Sequence, residues 1–251
     1  MIIRKSPKDI ERMLRSGEVL AACHDMLAPM VKPGATTREL DTAAEEFIRS
    51  HGGVPSFKGY SGFPATLCTS NNAKVVHGIP DDVPLEEGDL LSVDCGVTLR
   101  GWVSDSARSY VVGGTGAGES QRLIDVAYES LEAGIEQIRP GNTVGDIGHA
   151  VQQVVEAAGF HVIRKLVGHG VGRSMHEEPQ VPNYGTPGTG PILEPGYVIA
   201  LEPMITLGTI DIVEDESDGW SIYTADGSLA AHVEHTIAVT ADGPLVLTRS
   251  A

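Results

Sequence analysis

Cysteine is scarce in this chain. Three among 251 residues, Cys23, Cys68 and Cys95, cannot all pair, and none stands at CxxC spacing. That excludes a disulfide framework and a thiolate metal knuckle, and it suits a reducing compartment. Basic residues are in short supply: 18 Lys and Arg against 34 Asp and Glu leave a net charge of −16. A nucleic-acid-binding surface would need a basic stripe, so no specific nucleic acid is expected as a partner. The acidity itself singles out no cationic ligand. No window approaches the ~18 apolar residues of a membrane span. The N-terminus, MIIRKSPKDIERM, is charged from its fourth residue and has no apolar signal core. These absences predict a cytoplasmic protein. Aromatics are only 5% of the residues, and there is neither a low-complexity tract nor a long linker. The whole of 1–251 is therefore expected to form a single domain, long enough to bury a core.

What is present falls into two echoing halves. Ser6-Pro7 is an N-cap followed by Pro at the first helical position, and apolar residues recur at helical spacing to Met30. Lys32-Pro33-Gly34 breaks that helix; Thr36 or Thr37 caps a second, running to Ile48 and stopped by Gly52-Gly53. At an offset of 107, Pro33, Gly34, Thr36, Ala43 and Gly52 recur as Pro140, Gly141, Thr143, Ala150 and Gly159. A helix over Gln121–Ile138 precedes the second block as Ser6–Met30 precedes the first. LEEGDLLSVD (85–94) then matches LEPGYVIALE (193–202) at offset 108, setting Asp94 on Glu202. A later strand in each half carries another carboxylate, Asp105 and Glu234. Helix-start signals such as PGxT recur widely, but two matched blocks at nearly one offset point to a duplicated unit. The halves, about 1–114 and 119–251 around a Gly-rich linker Val112–Gly118, would pack about a pseudo-twofold axis with one site between them.

Residues 85–105 read as a hairpin carrying two of these acids. A turn centred on Leu99-Arg100 sets Asp94 directly across from Asp105, with Cβ atoms roughly 4.5–5.5 Å apart. Two anions so placed repel, so either they share a proton or a cation sits between them. Cys95 faces away by strand alternation and is excluded as a ligand.

Histidines are the remaining chemistry-bearing type. A lone histidine is more often a satisfied core or surface residue, and His24, His51, His149, His161 and His232 are read that way. His169 and His176 differ, because VGHGVGRSMH wraps the first in glycines that permit close approach. His77, in VVHGIP, also adjoins a glycine. His235 points away from Glu234's face and is not expected as a ligand. Carboxylates plus one imidazole suit Mn, Fe, Co or Zn. Four carboxylates are too many for one dication but suit two, and two-metal hydrolytic sites hold their ions roughly 3.5–4 Å apart.

GHGVGRSMHEEPQVPNY, LLSVDCGV, WVSDSARSY, ALEPM and HVEHTIAV together resemble the type I methionine aminopeptidases, subfamily A of peptidase family M24. The resemblance runs from the first helix to Thr248. It implies an α+β pita-bread fold with pseudo-twofold halves and a central antiparallel sheet covered by helices. It implies removal of the initiator methionine from nascent chains whose second residue is small. Asp94 and Asp105 would hold one divalent ion and His169 and Glu202 the other, with Asp105 and Glu234 bridging; cobalt, manganese, iron and zinc all fit. Glu202 would also accept the proton of the attacking water. His77 would contact the scissile amide and leaving side, and His176 the carbonyl oxygen. Tyr60, Phe63, Cys68 and Trp220 would line the methionine pocket, though simple packing also explains such residues. Phe63 stands where the family often has Tyr, and Met175 where a bulkier aromatic is frequent. The chain starts at its first helix, and the interval from His176 to Glu202 has no room for the type II helical insertion, so a short, bacterial-type form is expected. The partners implied are nascent N-termini beginning Met-small. A monomer is expected, with any transient ribosome contact confined to a local patch at Arg164-Lys165 or the N-terminus. The rival reading within the fold is an X-Pro peptidase; outside it, a non-catalytic homologue.

Overall fold

The computed structural model describes residues 1–114 and 118–250. Helix α1 (Pro7–Leu27) opens with Ser6 accepting from the Asp9 N–H while Asp9 reciprocates, a capping box. It gives way to a 3-10 turn, Ala28–Met30, where Pro29 has no N–H to continue the ladder. Helix α2 (Thr37–Ser50) runs two residues past the expected end, and α3 (Glu119–Glu136) begins two residues before the expected start. Helix α4 (Val144–Ala157) repeats the capping box of α2, with Thr143 and Asp146 in the parts of Thr36 and Glu39. The linker expected at Val112–Gly118 lies partly outside the described residues, at 115–117.

The strands explain the alternating sequence. In β1 (Leu90–Leu99), Leu91, Val93, Cys95 and Val97 are fully buried in one apolar cluster with Leu20, Cys23, Leu40 and Ile48 of the first two helices. Asp94, between them in register, therefore faces the other way. Cys95 turns to the helices, as alternation requires. β1 is the centre of a four-stranded antiparallel sheet, flanked on one side by Leu67–Asn71 and on the other by β2 (Trp102–Val111). The second half repeats this logic. In β3 (Val198–Leu201), Ile199 and Leu201 pack with Leu131, Ile135, Ile147 and Val151 of the other two helices. Glu202 thus falls on the face opposite that core. Beside β3 runs β4 (His235–Thr240), and its sheet of five strands also contains Gly168–Gly170 and Glu177–Val181.

The hairpin register differs from the expectation. Leu99 pairs with Trp102, so the two-residue turn is Arg100-Gly101, with φ of 51° and 77°. That is the left-handed pair a type I′ turn demands, and its twist matches the strands. Asp94 lies across from Ala107 and Asp105 across from Gly96. The acids are diagonal neighbours, roughly 7–8 Å apart at Cα rather than face to face.

The two halves share hydrogen bonds as well as letters. Gly34 N–H donates to Leu85 O at 2.8 Å, and Gly141 N–H to Leu193 O at 3.1 Å. Gly88 N–H reaches Val112 O as Gly196 N–H reaches Val239 O, both at 2.9 Å. Across the junction, Glu234 N–H donates to Ala107 O at 3.0 Å, and Ala107 N–H donates back to Glu234 O at 3.4 Å. This reciprocal pair sets the strand bearing Asp105 beside Glu234, which stands just before β4. Among the described residues, no helix is long and apolar enough to cross a membrane.

Candidate active site

The four acids meet where the halves join. Asp105 is fixed from behind: its N–H donates to Thr236 Oγ1 at 2.9 Å, and that hydroxyl donates back to the Asp105 carbonyl at 2.7 Å. His169 enters from the strand Gly168–Gly170. A Cβ at Gly168 would lie 2.4 Å from the Ala200 carbonyl oxygen, and one at Gly170 2.2 Å from that of Glu178. Only glycine allows this strand to press so closely on its neighbours, and that approach carries His169 into the acids. One ligand atom each from Asp105, His169 and Glu234 fall within 4.8 Å of one another.

The chemistry of these donors suits a cation. His169 Nδ1 lies 2.9 Å from the Gly170 carbonyl oxygen. A carbonyl only accepts, so Nδ1 carries the proton and Nε2 presents a lone pair. That lone pair faces Glu202 Oε1 at 3.6 Å and Asp105 Oδ2 at 3.8 Å. Asp94 Oδ1, Asp105 Oδ1 and Glu234 Oε1 are buried with no hydrogen-bond partner among the described residues. Buried acceptors aimed at one another are costly unless something positive lies among them. The electrostatics agree. Burial, then the charges of Asp105 and Glu202, drives Asp94 well above the carboxylate range. Burial and then the neighbouring carboxylates do the same to Glu202 and Glu234. Burial pushes Asp105 up to about 7, against the pull of a hydrogen bond with Asp94. His169 is lowered to about 4 by burial and then by the nearby His176 ring, so it is a neutral donor of electrons near pH 7.

Above the acids is a cavity of about 190 Å³. Its wall includes every residue the sequence singled out: Asp94, Asp105, His169, Glu202, Glu234, His77, His176, Tyr60, Phe63, Cys68 and Trp220. Phe63 and Trp220 meet edge to face with centroids 5.1 Å apart. The acidic turn before Trp220 presents that ring, because Asp218 Oδ1 accepts from the Trp220 and Ser221 N–H groups at 2.7 and 2.9 Å. His176 lies ring to ring with His169, 4.2 Å between centroids, and its Nδ1 is 2.8 Å from the Tyr60 hydroxyl. Burial lowers the pKa of His176; burial and then His176 lower that of His77. His77 has φ of 60°, a conformation that costs a histidine energy and is found where a side chain must be aimed.

Met175, singled out where the family often has a bulkier aromatic, lines the cavity. Sequence reasoning overlooked Phe57 and Ser61, which line it beside Tyr60, and His232. Phe57 carried a signal, being an aromatic in the same Gly- and Pro-rich run. His232, read as a satisfied core histidine, is 2% exposed with Nε2 unpartnered, 3.7 Å from Glu202 Oε2 and 4.0 Å from Glu234 Oε2. Pairing of Met204 with His232 brings it there, and nothing in its local sequence announces that contact.

Residues 11–241 match the model of metallopeptidase family M24. The methionine aminopeptidase of Clostridium perfringens is 48% identical over 248 residues, covering 99% of each chain. Methionine aminopeptidase 1 of Bacillus subtilis is 45% identical over 249 residues, 99% of this chain and all of that one. The solved methionine aminopeptidase of Rickettsia prowazekii superposes with a TM-score of 0.97 at 43% identity, covering 99% of this chain and 100% of that one. The prolidase of Pyrococcus horikoshii, at 24% identity and a TM-score of 0.79, shares the fold over 65% of its length. The fold is the α+β pita-bread fold, and the chain belongs to metallopeptidase family M24, among the type I methionine aminopeptidases.

Proposed function

We propose that this chain removes the N-terminal methionine from nascent polypeptides whose second residue is small. It would act in the cytoplasm as a monomer and a single catalytic domain whose halves share one centre, meeting the ribosome only transiently. The observation that carries this reading is the convergence of four acids and the His169 lone pair at the foot of a small aromatic slot.

Four carboxylates overcompensate one dication and balance two, so two divalent ions fit, drawn from cobalt, manganese, iron and zinc. Asp94 and Asp105 would hold one and His169 and Glu202 the other, with Asp105 and Glu234 reaching both. Such ions supply Lewis acidity toward oxygen, which makes water a nucleophile near neutral pH. The remaining work belongs to the protein. Glu202, at the foot of the slot, takes the proton of the attacking water and returns it to the leaving amine. His176 donates an N–H to the scissile carbonyl oxygen and stabilises the oxyanion. That role needs the proton on Nε2, the tautomer that results when the Tyr60 hydroxyl donates to Nδ1. His77 contacts the amide on the leaving side. The methionine side chain enters between Phe63 and Trp220, beside Tyr60 and Cys68. Sulfur against ring edges adds about 0.3–1.5 kcal/mol per contact.

The test is elemental analysis of protein purified without added metal salts, paired with hydrolysis of Met-Ala-Ser and Ala-Pro peptides. Two transition-metal ions per chain and release of methionine are expected. Cleavage of Ala-Pro alone would make it an X-Pro peptidase. No hydrolysis after reloading with cobalt or manganese would make it a non-catalytic member of the fold.

A further inference from the structure

Lys5 and Glu177 form an ion pair at 2.7 Å with side chains only 2% and 7% exposed. Replacing a buried pair by apolar residues is often neutral or stabilising, so stability alone does not account for it. Its position does. Glu177 opens the strand just after His176, and the two side chains go opposite ways, His176 into the cleft and Glu177 toward the N-terminal arm. The second oxygen of Glu177 accepts from the Arg173 and Ser174 N–H groups at 2.9 and 3.2 Å, closing the loop that runs into His176 around one carboxylate. A Cβ at Gly172 would lie 2.6 Å from both Glu177 Oε1 and Lys5 Cε, so the loop is drawn down onto the pair. Lys5 is itself anchored. Its N–H donates to Gly196 O at 2.7 Å, and Arg4 pairs with Glu194 at 2.9 Å. Both anchors lie on the approach to β3, which runs into Glu202. The arm thus ties the loop bearing His176 to the strand that leads into Glu202.

We propose that Lys5 and Glu177 are positioning residues that set the His176 imidazole against the acid cluster. The inference rests on the reading that His176 touches the substrate. Removing the ammonium leaves a buried carboxylate without its counter-charge, which must move toward water or take up a proton. Either response shifts the loop that holds His176. Misplacing a catalytic group by about 1 Å can cost roughly 10²-fold in rate.

The experiment compares wild type, Lys5→Met and, as a control at an exposed ion pair outside this arm (Arg38–Asp82), Arg38→Ala. It reads kcat and KM on Met-Ala-Ser, metal content, and the imidazole 15N resonances of His176 in metal-free protein. Lys5→Met is expected to lower kcat at least fivefold with KM within threefold, to keep its metal, and to shift the His176 resonances; Arg38→Ala changes none of these. A kcat within fivefold of wild type, unmoved His176 resonances or lost metal would each overturn the proposal, whatever happens to the melting temperature. If Lys5→Met does not fold, Glu177→Gln carries the same readouts, because its amide oxygen still accepts from Arg173 and Ser174 but offers Lys5 no charge. Failure of wild type to release methionine would sink the functional reading alone, since the resonances report positioning without turnover.

Discussion

His169 Nε2 lies 3.6 Å from Glu202 Oε1 with its own Nδ1 committed to the Gly170 carbonyl, so two lone pairs face each other across the join between the halves. Neither group can donate to the other while Glu202 is ionised. The arrangement makes physical sense with positive charge between them, and the geometry is set by parts remote in sequence. Gly168 and Gly170 press the His169 strand onto its neighbours, and the reciprocal backbone pair of Ala107 and Glu234 welds the halves. The side chains that would hold an ion here are therefore placed by backbone contacts already formed.

Asp94→Asn tests the charge argument most directly. The amide keeps the shape of Asp94 but removes one of the repelling charges. Methionine release should be lost, and activity within threefold of wild type would contradict a ligand role. The metal-free variant should melt no lower than metal-free wild type, because burial and like charge already disfavour ionised Asp94. Thermal melts with and without added manganese check both halves of the expectation: the ion should raise the melting temperature of wild type and raise that of the variant less.

His176→Ala should lower kcat by about 10²-fold or more, the magnitude seen when one oxyanion donor is removed. Its metal content should stay that of wild type, because Nδ1 of His176 is engaged by Tyr60 and the ring stands outside the acid cluster. Elemental analysis of the purified variant decides; loss of an ion would reassign His176 as a ligand.

Much of this was readable in the chain because the signals are local. The paired capping boxes at Thr36 and Thr143, the two PGxT blocks and the alternation around Asp94 and Glu202 each span a few residues, and the architecture follows from them. The hairpin register was not readable. Type I′ turns usually announce themselves with Asn-Gly or Asp-Gly, and here Arg100 takes the left-handed position. His232 was missed for a different reason. Its approach to Glu202 depends on strand pairing with Met204, 28 residues away, and a histidine in an apolar strand looks the same whether or not an acid waits beside it.

Trp220→Ala should open the slot against Phe63. The ring pair forms one wall of the small cavity, and its loss removes apolar surface worth on the order of 1–3 kcal/mol to a bound side chain. KM for Met-Ala-Ser should rise roughly tenfold, since 1.4 kcal/mol is about a factor of ten, while kcat falls less because the acids and His176 are untouched. Steady-state kinetics separate the two. A fall in kcat with KM unchanged would move Trp220 out of the pocket and into the support of the catalytic groups.

The pH dependence of the metal-free protein follows from two opposed sets of groups. Asp94, Asp105, Glu202 and Glu234 have folded-state pKa values raised above those of the unfolded chain, Asp105 to about 7. Between the two values the folded state binds more protons, so stability rises as pH falls. His24, His169, His232 and His235 are lowered by burial to about 3 or 4. Their contribution is fully present above the ordinary histidine value near 6.5 and is lost as pH falls from there toward the folded values. From pH 8 to 6.5 only the acids act, so the melting temperature of chelator-treated protein should rise. Below 6.5 the histidines oppose them and the curve should flatten. A divalent ion must displace those protons to bind. Its stabilising effect at fixed concentration should therefore be larger at pH 8 than at pH 6.5, reversing the order seen without metal. Melting curves at the two pH values, with and without manganese, check this. A metal-free protein that melts higher at pH 8 than at 6.5 would mean the four acids do not crowd one another as their geometry requires.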